Sequence, residues 1–165
     1  MMIALTGFMG SGKTTVGKVL ADFLGCPFMD LDDLVVKKAG KSIPDIFAQD
    51  GEPAFRQLEA QVLRKTVEKY AESTAVLALG GGAVLSPASA SLLHAETVCI
   101  YLRASLETLL GRLQGETAGR PLADGALAER LASRIPLYEK TAHVILDTDG
   151  LDPGQVADEI IASCL

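Results

Sequence analysis

The sequence predicts one α/β domain spanning residues 1–165, with a parallel sheet covered by helices on both faces. Short runs of near-continuous apolar residues recur along the chain, and each is followed by a stretch with helical spacing. That alternation is the pattern of strands buried on both faces and joined by crossover helices. The first apolar run also passes straight into a glycine-rich loop that opens a helix. In open α/β sheets the carboxyl ends of the strands are where ligands bind. At 165 residues and 48% hydrophobic content, the chain can build one compact core, and it shows no internal repeat or linker.

Taken in order, Met2-Ile3-Ala4-Leu5 is the first strand, and Val16, Val19, Leu20, Phe23 and Leu24 mark the first helix. Pro27-Phe28-Met29 forms a short strand that ends in Asp30-Leu31-Asp32-Asp33, and a polar helix follows through Lys37, Lys38 and Gly40. Ser42 with Asp45 three residues on resembles a capping box at the start of another short helix. Beyond Gly51 a longer helix carries Phe55, Leu58, Val62 and Val67 on one side. Ala75 to Leu79 is a buried strand stopped by Gly80-Gly81-Gly82, and Ser86-Pro87 has the form of an N-cap with proline at the first helical position. Val98 to Leu102 is the next strand, followed by a helix from Leu106 to Leu113. Gln114 to Gly125, polar and holding three glycines and a proline, is expected to be a mobile lid loop. A helix from about Ala126 is expected to stop near Arg134, because Ile135 precedes Pro136 and is pushed out of the helical region. His143 to Leu146 is the last strand, and Val156, Ile160 and Cys164 mark the closing helix.

A net charge of −6 excludes the usual footprint of a nucleic-acid or anionic-membrane binder. No apolar run approaches membrane-spanning length, and the first one is too short for a signal peptide. Cys26, Cys99 and Cys164 are odd in number and widely spaced, which suits small buried hydrophobes in a reducing compartment. A cytoplasmic protein is expected.

Gly7-Phe8-Met9-Gly10-Ser11-Gly12-Lys13-Thr14 fits the pattern G-x-x-x-x-G-K-[ST] between a strand and a helix, the context that gives the pattern meaning. Backbone N–H groups of such a loop turn inward around phosphate oxygens, and the helix N-terminus adds partial positive charge. Gly10, Ser11, Gly12, Lys13, Thr14 and Thr15 are therefore the expected contacts to a nucleoside triphosphate. Lys13 reaches the β- and γ-phosphates, and the Thr14 hydroxyl is placed to ligate Mg²⁺.

Four further groups are candidates. Asp30 and Asp32 stand at a strand's carboxyl end; in extended backbone they project from one face, while Asp33 points away. One would hold Mg²⁺ through water and the other would orient an acceptor hydroxyl; the plain alternative is an acidic turn that caps the next helix. Arg56 lies three residues before Glu59, so it is either half of a surface ion pair or a planar fork for a carboxylate or phosphate. Gly80, Gly81 and Gly82 leave bare backbone that a ligand can approach. Arg120, beside Pro121 in the polar loop, reads as a lid arginine supplied in cis. Arg134, at the expected helix end, is well explained by the helix dipole. His94 and His143 have no partners at metal-ligand spacing and read as structural.

Together these segments resemble the shikimate kinases over almost the whole chain. The likeness rests on Gly7 to Thr15, Phe28-Met29-Asp30-Leu31-Asp32, Ser42-Ile43-Pro44-Asp45-Ile46-Phe47 and Gly51-Glu52-Pro53-Ala54-Phe55-Arg56. It continues through Leu79-Gly80-Gly81-Gly82-Ala83-Val84, Arg120-Pro121-Leu122 and Arg134-Ile135-Pro136-Leu137-Tyr138. The resemblance implies a three-layer P-loop kinase fold with a lid at about 114–125 and a substrate-binding helical segment at about 31–62. It implies ATP-dependent phosphorylation of the 3-hydroxyl of shikimate, with Mg²⁺, giving shikimate 3-phosphate and ADP; a monomer is expected. By that likeness Asp32 contacts the ring hydroxyls, Arg56 and Arg134 grip the carboxylate, and backbone at Gly81 or its neighbours touches the ring near Phe47 and Phe55. Thr14 and Asp30 attend to Mg²⁺, Arg112 stacks on adenine, and Lys13 and Arg120 act on the phosphates. One departure stands out: Leu151 occupies a position where relatives often offer a basic or polar side chain toward adenine.

Rival readings are a gluconate kinase or nucleoside monophosphate kinase on the same scaffold. A GTP-binding switch is disfavoured, since it reads guanine through N-K-x-D and this chain has no asparagine.

Overall fold

The computed structural model describes residues 1–116 and 124–164. Five strands form one sheet: β1 (Met2–Thr6), β2 (Phe28–Asp30), β3 (Ala75–Ala78), β4 (Thr97–Arg103) and β5 (Val144–Asp147). All neighbours are parallel, in the order β2-β3-β1-β4-β5. The glycine loop therefore leaves the central strand. Leu5 is level with Ala78, and Ala78 with Asp30, so the carboxyl ends of β1, β2 and β3 finish side by side.

Period-2 alternation along β1 divides the interior into two cores. Met2 and Ala4 point into one with Leu31, Leu63, Leu77, Tyr101 and Tyr138, beneath helices α2 (Leu31–Ala39), α4 (Glu52–Lys69), α5 (Pro87–Glu96), α6 (Leu106–Glu116) and α7 (Asp124–Thr141). Ile3 and Leu5 point into the other with Val16, Leu20, Val156 and Ile160, which α1 (Lys13–Leu24) and α8 (Pro153–Cys164) supply. A third cluster is small and separate: Val35, Ile46 and Phe55, packed where α2, α3 (Ile43–Asp50) and α4 meet. The edge strands β2 and β5 are only partly buried. Among the described residues, no helix is long and apolar enough to cross a membrane.

Most of the expected helix signals operate. Ser42 Oγ accepts from the Asp45 N–H at 3.2 Å, and Ser86 Oγ from the Ser89 N–H at 3.3 Å. Pro44, Pro53 and Pro87 each sit in a first helical turn. Two expectations fail. The helix expected to stop near Arg134 runs on through Pro136 to Thr141. A proline in a helix interior costs about 3 kcal/mol, and here packing on both sides of it outweighs that cost: Leu127, Leu131 and Tyr138 are all buried. Helix α6 also continues past Leu113 to Glu116, and α7 begins at Asp124, so the ends of the expected lid are helical. The rest of that segment, Arg120 included, lies outside the described residues.

Candidate active site

Gly10 and Gly12 take φ of 82° and 93°, left-handed values that favour glycine and let the loop fold back over its own amides. Gly12 caps α1 without any side-chain acceptor, so the first N–H groups of the helix stay available to an anion. Lys13 Nζ donates to the carbonyls of Gly7 (2.6 Å) and Phe8 (3.0 Å), which folds its ammonium into the loop. Burial lowers the Lys13 pKa to about 8, against the pull of Asp32 and Asp30.

The carboxylates at the end of β2 are arranged differently from the extended-strand expectation. β2 stops at Asp30 and α2 starts at Leu31, because Asp30 is the N-cap: its Oδ1 accepts from the Asp32 N–H at 2.9 Å. Capping leaves the second oxygen for the phosphate loop: Asp30 Oδ2 accepts from Thr14 Oγ1 at 2.9 Å. Asp32 sits in the first helical turn, and both carboxylates line a cleft of about 250 Å³ with Gly10, Gly12, Lys13, Thr14, Gly80 and Gly81. Burial, reinforced by Asp30, pushes the Asp32 pKa above its usual value.

The glycine run after β3 closes the other wall. A Cβ at Gly80 would lie 2.9 Å from Asp32 Oδ1 and 3.1 Å from Glu59 Oε2. At Gly81 it would lie 3.5 Å from Arg134 Nη1, and at Gly82 2.6 Å from Arg56 Nη1. These glycines are thus ringed by two carboxylates and two guanidiniums, and a side chain at Gly80 or Gly82 would displace its neighbours. Arg56 Nη1 donates to Glu59 Oε1 at 3.0 Å, while Arg56 Nε and Glu59 Oε2 are buried without a hydrogen-bond partner among the described residues. Burial raises the Glu59 pKa, and Arg56 opposes the shift. The ion pair that counted as the plain explanation of Arg56 exists, but it is inside the crevice rather than on the surface. Phe55 packs under the Arg56 guanidinium, 5.1 Å from ring centroid to Cζ, and against the half-exposed Phe47 ring at 4.9 Å.

Arg134 is in the interior of α7 and not at a helix end, so the dipole explanation does not hold for it. Its Cζ lies 5.8 Å from the Phe8 ring centroid, over the phosphate loop. Beyond that loop a second hollow of about 270 Å³ is lined by Gly10, Gly12, Thr15, Arg112, Leu151 and Pro153. Arg112 Nη1 donates to the Gly10 carbonyl at 3.0 Å and forms one wall; Leu151 supplies apolar surface on another.

The family model for shikimate kinase matches residues 9–165. The chain belongs to the shikimate kinase family. A shikimate kinase from Enterococcus faecalis is 42% identical over 164 residues, covering 96% of this chain and 95% of that protein. One from Limosilactobacillus fermentum is 44% identical over 167 residues, covering 98% and 94%. Among solved structures, shikimate kinase from Acinetobacter baumannii in complex with shikimate superposes with a TM-score of 0.89 at 35% identity, over 98% of this chain and 91% of that one. These likenesses extend to the fold: the three-layer P-loop kinase architecture is that of the family.

The sequence-predicted residues Lys13, Thr14, Asp30, Asp32, Arg56, Arg134 and the three glycines therefore converge on one crevice, with Ser11, Thr15 and Arg112 around the adjoining hollow. Two residues escaped the sequence reading. Glu59 was visible only as a partner for Arg56, and nothing local signals that it is buried. Tyr138 is 57 residues from the carbonyl that its hydroxyl meets, Gly81 O at 2.5 Å. Its place in the Arg134 to Tyr138 segment gives it no role, and its spacing of four from Arg134 matters only if the helix continues through Pro136.

Proposed function

We propose that this chain transfers the γ-phosphoryl group of ATP to the 3-hydroxyl of shikimate, giving shikimate 3-phosphate and ADP. The observation that carries this reading is the meeting, in one crevice, of a phosphate loop with a pocket of two guanidiniums and two carboxylates. A hydroxylated ring bearing one carboxylate matches that pocket. Arg56 and Arg134 grip the acid, Asp32 and Glu59 accept from ring hydroxyls, Phe47 and Phe55 flank the ring, and the bare backbone of Gly80 to Gly82 lets it approach.

Phosphoryl transfer passes through a loose transition state, so the protein contributes alignment and charge stabilisation more than bond-making. Lys13 exchanges the Gly7 and Phe8 carbonyls for phosphate oxygens. The free amides at the start of α1 hold the phosphates, and the base occupies the hollow between Arg112 and Leu151. Asp32 aims the acceptor hydroxyl in line and takes its proton late; burial has already raised its affinity for that proton. By the family resemblance, Arg120 closes over the phosphates. The donors at the β2 end suit a hard divalent cation: a hydroxyl and a carboxylate already 2.9 Å apart, with a second carboxylate beside them. Thr14 and Asp30 would hold Mg²⁺, which supplies neutralisation of phosphate charge. All of these residues come from one chain, in keeping with a monomer, and the three free cysteines suit the cytoplasm.

An ADP-release assay with ATP and Mg²⁺ over shikimate, gluconate and AMP tests the proposal. Turnover with shikimate and a ³¹P signal for the 3-phosphate are expected. Preference for gluconate or AMP would reassign the acceptor, and ATP binding without turnover on any of them would reject catalysis.

A further inference from the structure

The three carbonyls of the glycine run are each held, but not in the same way. Gly80 O accepts from the Ala83 N–H at 3.1 Å and Gly82 O from the Leu85 N–H at 3.1 Å, both local backbone turns. Gly81 O accepts from the Tyr138 hydroxyl at 2.5 Å, across the crevice wall from α7. Tyr138 is fully buried, with its ring 5.0 Å from that of Tyr101. The Arg134 guanidinium, one helical turn back, faces the same glycine, its Nη1 3.5 Å from where a Cβ at Gly81 would lie, and its charge acts on the Tyr138 hydroxyl. Burial pushes the Tyr138 pKa up to about 12, so the group keeps its proton at any working pH.

We infer that Tyr138 is a positioning residue for acceptor binding, tying the Gly81–Gly82 peptide and the Arg134 guanidinium into one rigid unit. The peptide is planar and trans, so fixing the Gly81 carbonyl toward α7 turns the Gly82 N–H to the opposite side. Held there, the Gly81 backbone packs beside Arg134, whose other neighbour is the Phe8 ring, and so limits rotamers that would otherwise have to be ordered at the moment of binding. The helix must run through Pro136 for this to work, because only continuous helix puts positions 134 and 138 on one face. This inference rests on the proposed acceptor chemistry, and it assigns a task to a side chain that does not itself reach the substrate.

Tyr138→Phe keeps the ring and removes the hydroxyl. A neutral hydrogen bond of this kind corresponds to about three- to tenfold in an equilibrium constant. The KM for shikimate should therefore rise about three- to tenfold, while the KM for ATP stays within twofold. Tyr101→Phe removes a hydroxyl from the neighbouring ring in the same core and should leave both KM values unchanged. Turnover of the unaltered enzyme on shikimate checks the functional reading first and separately. If Tyr138→Phe leaves the shikimate KM unchanged, as Tyr101→Phe does, or shifts both KM values together, the positioning role is wrong. In the unaltered protein, NMR should show a slowly exchanging Tyr138 hydroxyl proton with shikimate bound. Fast exchange there would overturn the inference without any variant.

Discussion

Replacing Gly82 by alanine should strike acceptor binding while leaving the nucleotide half of the site alone. Gly82 has φ −107° and ψ 7°, which any residue adopts, so the added methyl brings no backbone strain. It meets the Arg56 side chain, with Nη1 at 2.6 Å and Cζ at 2.7 Å from the new carbon. Ordinary contact begins at 3.4 Å and Nη2 lies nearer still than Nη1, so the guanidinium must retreat by about 1 Å. The clash is with the end of a flexible side chain, so the fold survives. A retreat of that size, however, takes a 3.0 Å hydrogen bond to Glu59 beyond useful length and moves the fork away from the place proposed for the acid. A charge-assisted contact is worth about 1.5–3 kcal/mol, which corresponds to roughly 10- to 150-fold in affinity. Steady-state kinetics should show the shikimate KM raised by about that factor, the ATP KM within twofold, and Tm nearly unchanged. An unchanged shikimate KM would refute the placement of Arg56 as a carboxylate fork, and parallel loss of both KM values would show that the methyl disturbs the loop as a whole.

Further outcomes follow from the same geometry. The free enzyme holds Lys13 with a pKa of about 8, and bound phosphates must raise it, so ATP binding takes up a proton above that pH. The ATP dissociation constant should therefore be flat below pH 8 and weaken toward tenfold per unit above it; calorimetry in two buffers of different ionisation enthalpy reads the proton directly. Asp32 has a folded pKa above its unfolded value, so its charge destabilises the fold once pH exceeds both, and Asp32→Asn should raise Tm at pH 7 while lowering kcat by about 10²–10⁴. A lower Tm for that variant would contradict the burial argument. Thr14→Val removes the hydroxyl 2.9 Å from Asp30 and should raise the Mg²⁺ concentration for half-maximal activity at least tenfold, with shikimate binding measured by fluorescence or calorimetry unaltered.

What could be read from the chain beforehand depended on how local its cause was. The phosphate loop, the strands and the first-turn caps are set by neighbouring residues, and all formed as expected. The sequence pattern ends α7 too early because proline's penalty is local, whereas the buried contacts of Leu131 and Tyr138 that outweigh it come from other elements. Asp30 and Asp32 were assigned to the right place with the wrong backbone, since an N-cap and a strand end share the extended φ and ψ that the sequence pattern cannot separate. For Arg56 the sequence left an ion pair and a ligand fork as rivals; folding makes them compatible by burying Glu59 beside bare glycine backbone. The Tyr138 contact with Gly81 depends wholly on how α7 crosses the loop after β3, and no short-range pattern encodes it.

The cluster of Val35, Ile46 and Phe55 gives the acceptor half of the enzyme a small anchorage of its own, joined to the core under the sheet through Val62. Residues above it can be exchanged without loosening the layers that carry the triphosphate. Selection, or an engineer, can therefore retune which acid is phosphorylated by remodelling this one corner, while the energy-supplying machinery is inherited intact.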